Sequence, residues 1–389
     1  MSRDRDRPHG DPDDTQGEDE IDGNRALPAD AFPDEPGGGA ARGTSGADPE
    51  PFATLSPDTL LDAVDHVLSG SAQAGDWRTS GQVLALNSYE NRVFQVGLES
   101  LGSREPASPL IVKFYRPGRW TDAQIQEEHD FLEELVQAEV PAVPPLRLGG
   151  QTLHAVGDFR LAVFERRGGR TPELADPAVR ERIGRFLGRL HAVGARRDFA
   201  LRQRLDVQSF GRVPSTYLLE TGWLPAELAG VYRDLVEQAL EAITRAFARA
   251  GPVAWVRVHG DCHPGNLLWT EAGPEPGPHF VDFDDSAMAP AVQDLWMLLS
   301  GDAAEMGAQL RDVLRGYELF AEFNDAELQL VEALRTLRLI HYAAWIARRW
   351  SDPAFPAAFP WFPAPRYWEA RVLELREQLA AMQEPPMHP

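Results

Sequence analysis

The run His259-Gly260-Asp261-Cys262-His263-Pro264-Gly265-Asn266, with Val281-Asp282-Phe283-Asp284-Asp285 beginning fifteen residues after its last member, constrains this chain more than any other segment. Asp261 and Asn266, five residues apart on one tight loop, supply a base that orients a hydroxyl and a neutral oxygen ligand for a hard cation such as Mg²⁺. Asp282 ends the next apolar run and can share that cation. Leu267-Leu268-Trp269 and Phe280-Val281 flank a Gly/Pro-rich turn, so a β-hairpin would return Asp282 to the side of Asn266. The pattern reads as a phosphoryl-transfer site, and any fold must deliver these three side chains to one point.

A census of cations gives the second constraint. Of 38 basic residues 37 are Arg, and the single Lys is Lys113, in Ile111-Val112-Lys113-Phe114-Tyr115. A planar guanidinium is too large where a compact ammonium must touch nucleotide phosphates from within a strand, which makes Lys113 the expected phosphate anchor. Its partner is expected on a helix that starts at Thr121, where Gln124 completes a capping box. Ile125, Phe131, Leu132, Leu135 and Val136 form that helix's apolar stripe. At 100° per residue Glu128 falls inside the stripe, while Glu127, Asp130, Glu133 and Glu134 lie outside it or at its edge. Glu128 is therefore expected to pair with Lys113.

These residues resemble the protein-kinase-like phosphotransferases of the aminoglycoside and choline kinase type, marked by a His-Gly-Asp-x-His-x-Gly-Asn loop and a following Asp-containing strand. Leu86-Asn87-Ser88-Tyr89-Glu90-Asn91-Arg92, Val112-Lys113-Phe114-Tyr115-Arg116-Pro117, Gln293-Asp294-Leu295-Trp296-Met297 and the Trp/Pro-rich stretch 348–362 are similar to the bacterial stress-response Ser/Thr protein kinases within that family. The resemblance runs over 52–379 in order. It implies an α+β, bilobal protein-kinase-like fold, with a small antiparallel β-sheet N-lobe and a large helical C-lobe. It implies that Asp261 is the catalytic base, that Asn266 and Asp282 hold Mg²⁺, and that Ser88 lies in the loop contacting ATP. Asp294 resembles the family acid that braces the catalytic loop, although an Asp in a first helical turn is also an ordinary choice. His259 and His263 are expected to hold the loop together.

Gly260 stands where regulated protein kinases carry an Arg that senses a phosphorylated activation loop, so that control is expected to be missing. No G-x-G-x-x-G is present, and the phosphate-covering hairpin is expected at 83–96 with its tip at 87–92. Phe283-Asp284 follows Asp282 in place of Phe-Gly, which makes a glycine-based flip of that segment less available.

A length of 389 residues with 43% apolar content suffices for two lobes. The expected organisation is an acidic disordered tail at 1–50, an N-lobe at 51–165 and a C-lobe at 166–389. The first fifty residues hold 14 acids and 5 bases with no hydrophobic period, which is the composition of disorder. Helices are expected at 56–68, from 121, and at 177–193, 228–249, 292–299, 307–323, 325–350 and 367–382. Strands are expected at 82–86, 93–98, 110–115, 146–148 and 159–164. Glu165-Arg166-Arg167-Gly168-Gly169 reads as the connector between lobes, where the backbone at Glu165 would meet adenine.

The net charge of −22, of which −9 lies in the first fifty residues, argues against nucleic acid. An acidic cleft of Asp261, Asp282, Asp284 and Asp285 favours metal ions and basic peptide or amine acceptors. No apolar run approaches the roughly 18 residues of a membrane span and no signal peptide is visible, so a cytoplasmic protein, expected to be a monomer, is the reading. The single cysteine, Cys262, agrees with a reducing compartment and, beside the base, would make activity sensitive to oxidation.

Three alternatives stand beside an ATP- and Mg²⁺-dependent Ser/Thr protein kinase. The acceptor could be a small alcohol of the choline, homoserine or aminoglycoside kind. The site could be a dead, nucleotide-binding pseudokinase. His259, Asp261 and His263, with Cys262, could hold a transition metal in a hydrolase, though that reading leaves Lys113 and Asn266 unexplained.

Overall fold

The computed structural model describes residues 50–71, 77–86, 88–100, 108–271 and 276–389. The expected tail at 1–50, save its last residue, and Asn87 at the hairpin tip lie outside them.

The amino-terminal half is built on one antiparallel sheet. Helix α1 (Pro57–Ser69), capped by Ser56 accepting from the Thr59 amide, precedes strands β1 (Trp77–Ala85), β2 (Arg92–Ser100) and β3 (Leu110–Tyr115). After helix α2 (Asp122–Gln137) come β4 (His154–Val156) and β5 (Phe159–Glu165), giving the strand order β1-β2-β3-β5-β4. β3 is central, with Lys113 opposite Val93 on one side and Ala162 on the other. Val112 and Phe114 point into a core with Leu60, Val64, Leu161 and Val163, so alternation along β3 sends Lys113 to the opposite face. The capping box at Thr121 forms as expected, with Thr121 and Gln124 each accepting from the other's amide.

The connector after β5 does not cross open space. Arg170 exchanges both backbone hydrogen bonds with Trp269 (2.9 and 2.7 Å), which ties the way out of the sheet to the hairpin of β7 described next. The carboxy-terminal half comprises α3 (Pro177–Gly194), α4 (Val213–Glu220), α5 (Ala226–Ala250), the short strands β6 (Val256–Val258), β7 (Leu267–Thr270), β8 (Gly277–Phe280) and β9 (Ala287–Ala289), then α6 (Val292–Trp296), α7 (Ala303–Tyr317), α8 (Val331–Arg348), α9 (Ala354–Ala358) and α10 (Pro365–Ala381). Helices α3 and α7 approach until backbone meets backbone. A Cβ on Gly184 would sit 1.9 Å from the Val313 carbonyl, and one on Gly188 would sit 2.3 Å from that of Tyr317. These two glycines permit the crossing.

Several sequence expectations need correction. The helix expected at 307–323 runs instead over Ala303–Tyr317, starting earlier because Asp302 and Glu305 form a capping box ahead of Ala303. The one at 325–350 is a 3-10 segment (Asp325–Leu330) followed by α8, and the one at 292–299 closes at Trp296. The strand expected at 146–148 does not form, Leu148 making one isolated bridge to Gln151, while β4 and α4 were not anticipated. Among the described residues no helix is long and apolar enough to cross a membrane.

Candidate functional site

The β7–β8 hairpin pairs Leu267 with Phe280, and the amide of Val281 donates to the carbonyl of Asn266 at 3.1 Å. Asp282 thus emerges beside the loop. It adopts a left-handed backbone (φ +59°), rare for a residue with a Cβ, and its side chain stays 54% exposed.

The 259–266 loop is fixed by contacts that leave little freedom. Asp294, fully buried in α6, accepts from the amides of His259 (Oδ2, 2.8 Å) and Gly260 (Oδ1, 2.9 Å). His191 donates to Asp294 from Nε2 at 3.0 Å, and its Nδ1 lies 3.0 Å from the Tyr317 hydroxyl. Gln293 donates to the Gly260 carbonyl at 3.0 Å. His259 accepts at Nδ1 from the Asp261 amide (3.3 Å) and reaches the Val281 carbonyl with Nε2 (2.9 Å), joining the two halves of the motif. His263 accepts at Nδ1 from the Gly265 amide at 3.0 Å. With these nitrogens used inside the protein and Cys262 fully buried, no His-Cys cage for a transition metal is found among the described residues. Burial also pushes the Cys262 thiol up, away from its reactive form, so the expected sensitivity to oxidation has no accessible thiolate behind it.

Asn266 donates from its amide nitrogen to the Asp261 carbonyl (2.9 Å) and more loosely to Asp261 Oδ2 (3.4 Å). Its carbonyl oxygen is left for a cation, and together with the half-exposed Asp282 carboxylate makes a set of hard oxygen donors that fits Mg²⁺. Asp261 Oδ1 lies 2.7 Å from Nη1 of Arg338 on α8. Burial opposes the charge on Asp261, but Arg338 and the neighbouring histidines hold its carboxyl well below the usual range.

Lys113 is buried with Asp282 Oδ1 and Asp284 Oδ1 each at 3.1 Å and Glu128 Oε1 at 3.8 Å. Burial works against its charge, yet Asp284, Asp282 and Glu128 together keep the ammonium form well above the ordinary lysine range. Glu128 is shared. Its other oxygen lies 3.3 Å from the fully buried Arg202, which also donates to the carbonyls of Ser286 (2.7 Å), Gln124 (3.2 Å) and Asp284. Glu127 is occupied too, accepting from the amides of Ala200, Leu201 and Arg202 at 2.7–3.0 Å and so holding the turn that presents Arg202.

Asp284 and Asp285 do not form the open acidic cleft expected. Arg119 pairs with both, Asn91 donates to Asp284 Oδ2 at 3.1 Å, and Lys113 completes the shell. The acid cluster is neutralised where it stands. Asn91 also accepts from the Arg116 amide at 3.0 Å, so the hairpin tip is tied to both β3 and Asp284. Ser88 donates to the Asn91 carbonyl at 3.3 Å, which closes the tip and engages its hydroxyl. Glu165, at the end of β5, pairs with Arg167 at 2.7 Å and has its side chain in solvent, apart from the others. The structure therefore brings together Asp261, Asn266, Asp282, Lys113 and Glu128, joins Ser88 to them only by way of Asn91 and Asp284, and leaves Glu165 on the connector.

The tip is also clasped from the other side. Glu90 meets Arg116 (3.0 Å), Trp345 Nε1 (2.5 Å) and Arg349, while Arg92 makes two bonds to the fully buried Asp352 (2.8 and 3.0 Å), which Arg116 also reaches. Tyr89 packs edge-on to Phe359 at 5.2 Å. Sequence reasoning set Asn91 in the hairpin tip but did not find its bond to Asp284, nor Arg119, Arg202 or Arg338, since nothing marks these arginines among 37.

The profile of the phosphotransferase enzyme family matches residues 82–331. Stress response kinase A of Escherichia coli K12 is 41% identical over 337 residues, covering 86% of this chain and 96% of that protein. Serine/threonine protein kinase RdoA of Salmonella typhimurium LT2 is 40% identical over 336 residues, with the same coverage. Among solved structures, the amicoumacin kinase hAmiN in complex with AMP-PNP, Ca²⁺ and Ami matches with a TM-score of 0.60 at 21% identity, over 80% of this chain and 90% of that one.

Proposed function

Because the chain belongs to the phosphotransferase enzyme family, using a nucleotide triphosphate, a divalent cation and a hydroxyl-bearing acceptor, we propose that it transfers the γ-phosphate of ATP to Ser or Thr hydroxyls of a protein in a stress response, with Mg²⁺ as the cation. The observation that carries the chemistry is the unbroken line of contacts from Lys113 to Asp282, through Val281 to Asn266, and on to Asp261. The protein acceptor rests on the names of the 40–41% identical relatives. A cytoplasmic monomer without nucleic acid or membrane partners completes the reading.

Lys113 places a compact ammonium where the nucleotide's phosphates are gripped, and Glu128 with Arg202 keeps it aimed. Asn266 and Asp282 would hold Mg²⁺, which when bound would supply positive charge to offset the phosphate oxygens. Asp261, a carboxylate throughout the neutral range, accepts a hydrogen bond from the acceptor hydroxyl and turns its oxygen toward the γ-phosphorus. Ser88 at the tip covers the nucleotide, and the backbone at Glu165 receives its base. The lobes of this reading are 51–165 and 166–389, joined by that connector.

The test is intact mass after incubation with ATP and Mg²⁺, wild type beside Asp261→Asn, with basic protein acceptors and small amino alcohols in parallel. Phosphate gained on Ser or Thr, absent in the variant, is the expected result. Transfer to an alcohol alone would replace the protein acceptor, and Mg²⁺-independent nucleotide binding without transfer would mean a dead site.

A further inference from the structure

The two oxygens of Asp261 are not equivalent. Oδ1 is 2.7 Å from Nη1 of Arg338, whereas Oδ2 has only long contacts, to Asn266 Nδ2 at 3.4 Å and His263 Nε2 at 3.5 Å. We propose that Arg338 is a positioning residue for phosphoryl transfer, anchoring Oδ1 from the α8 side so that Oδ2 is the oxygen presented to the acceptor hydroxyl. This rests on Asp261 being the base, as read above, and holds for any hydroxyl acceptor.

The loop backbone does not need Arg338. Asp294 takes the amides of His259 and Gly260, Gln293 takes the Gly260 carbonyl, and Asn266 takes the Asp261 carbonyl. Among the described contacts, Arg338 touches this loop only at the Asp261 carboxylate. The other arginines of α8 and its cap are directed elsewhere: Arg335 to Glu332, Arg348 over the Tyr217 ring, Arg349 to Glu90. Oδ2 faces Asn266, the side on which the γ-phosphate must lie if Asn266 helps hold the cation. In the step so arranged, the acceptor oxygen bonds to the γ-phosphorus as the bond to the β,γ-bridging oxygen breaks. ADP leaves with that electron pair, and the hydroxyl proton passes to Oδ2. With Arg338 side-chain exposure at 30%, the guanidinium is reachable from solvent and a small cation can take its place.

The experiment compares wild type, Arg338→Ala and Arg338→Lys by steady-state transfer, nucleotide KM and thermal unfolding, using whichever acceptor the wild type phosphorylates. A carboxylate released from its anchor by about an ångström loses on the order of 100-fold in kcat. The expected result is that loss in Arg338→Ala, a smaller one in Arg338→Lys, ATP KM within about two-fold of wild type since Lys113, Asn266 and Asp282 are untouched, and at least a five-fold recovery of Arg338→Ala by millimolar guanidinium that leaves wild type unchanged. A kcat within three-fold of wild type in Arg338→Ala, a loss appearing as raised ATP KM or a lowered melting temperature without guanidinium rescue, or equal rescue of wild type would overturn the proposal. Wild-type transfer to an alcohol and not to protein would overturn the protein-acceptor reading and leave this test in force. A wild type that binds nucleotide and transfers to nothing would overturn both.

Discussion

Replacing Asp294 with Asn isolates what holds the catalytic loop. The carboxylate accepts two amide bonds, from His259 and Gly260, at opposite oxygens, and a third from His191. Asparagine keeps the shape but offers one acceptor, so whichever way the amide is turned, an NH₂ group faces a buried backbone N–H. One orphaned buried donor costs about 1–3 kcal/mol. If the loop moves to relieve it, Asp261 and Asn266 move with it, and the cost enters the barrier as roughly a 5- to 150-fold fall in kcat. If it stays, the same energy is drawn from folding stability. The assay is steady-state transfer alongside chemical denaturation of the same preparations, with Asp294→Ala, which orphans both amides, expected to be worse. Should Asp294→Asn match wild type in kcat within two-fold and in unfolding free energy within about 0.5 kcal/mol, the buried carboxylate would not be the brace described.

Two further outcomes are expected. Glu128→Ala strips Lys113 and Arg202 of a shared partner in a buried site, and should reduce kcat/KM for ATP on the order of 100-fold, while Asp130→Ala should change it less than two-fold; similar losses would remove Glu128 from the Lys113 assembly. His129 is fully buried between Tyr115 (2.8 Å) and Thr152 (2.9 Å), and burial, with Lys113 and Arg202 nearby, pushes its imidazole down to about 3. A base depressed in the folded state adds stability that is present above its unfolded value near 6.5 and is lost as pH falls from there toward 3. Wild type should therefore lose about 2–3 kcal/mol between pH 7 and 4.5 that His129→Gln does not, and parallel stability profiles for the two would refute the assignment.

What could be read in the sequence was what is local. Periodicity in α2 placed Glu128 inward, and the spacing of apolar runs around a Gly/Pro turn gave the hairpin that sets Val281 against Asn266. The Asp302/Glu305 box that starts α7 is equally local, while no sequence mark separates the 3-10 turn at Asp325–Leu330 from α8, because apolar residues continue through both. The acidic cleft was misjudged for a different reason. Asp284 and Asp285 look like free charge until Arg119, about 165 residues away in sequence, is seen to cover them, and Asn91 and Arg202 reach Asp284 across 193 and 82 residues. Such pairings depend on three-dimensional closure. In a chain with 37 arginines, no composition or period singles out the few that close it. Glu127 carries the same lesson: its position outside or at the edge of the apolar stripe names no partner, yet it accepts from three successive amides.

The clasp at Glu90, Arg92 and Asp352 bears on how the hairpin tip responds to salt. The hairpin tip is bolted to α8 and the segment after it by paired charges, with Asp352 wholly out of solvent. Ionic strength screens such buried pairs weakly. The tip therefore keeps its place over a wide range of ionic strength, while exposed pairs such as Arg78 with Glu99 are screened.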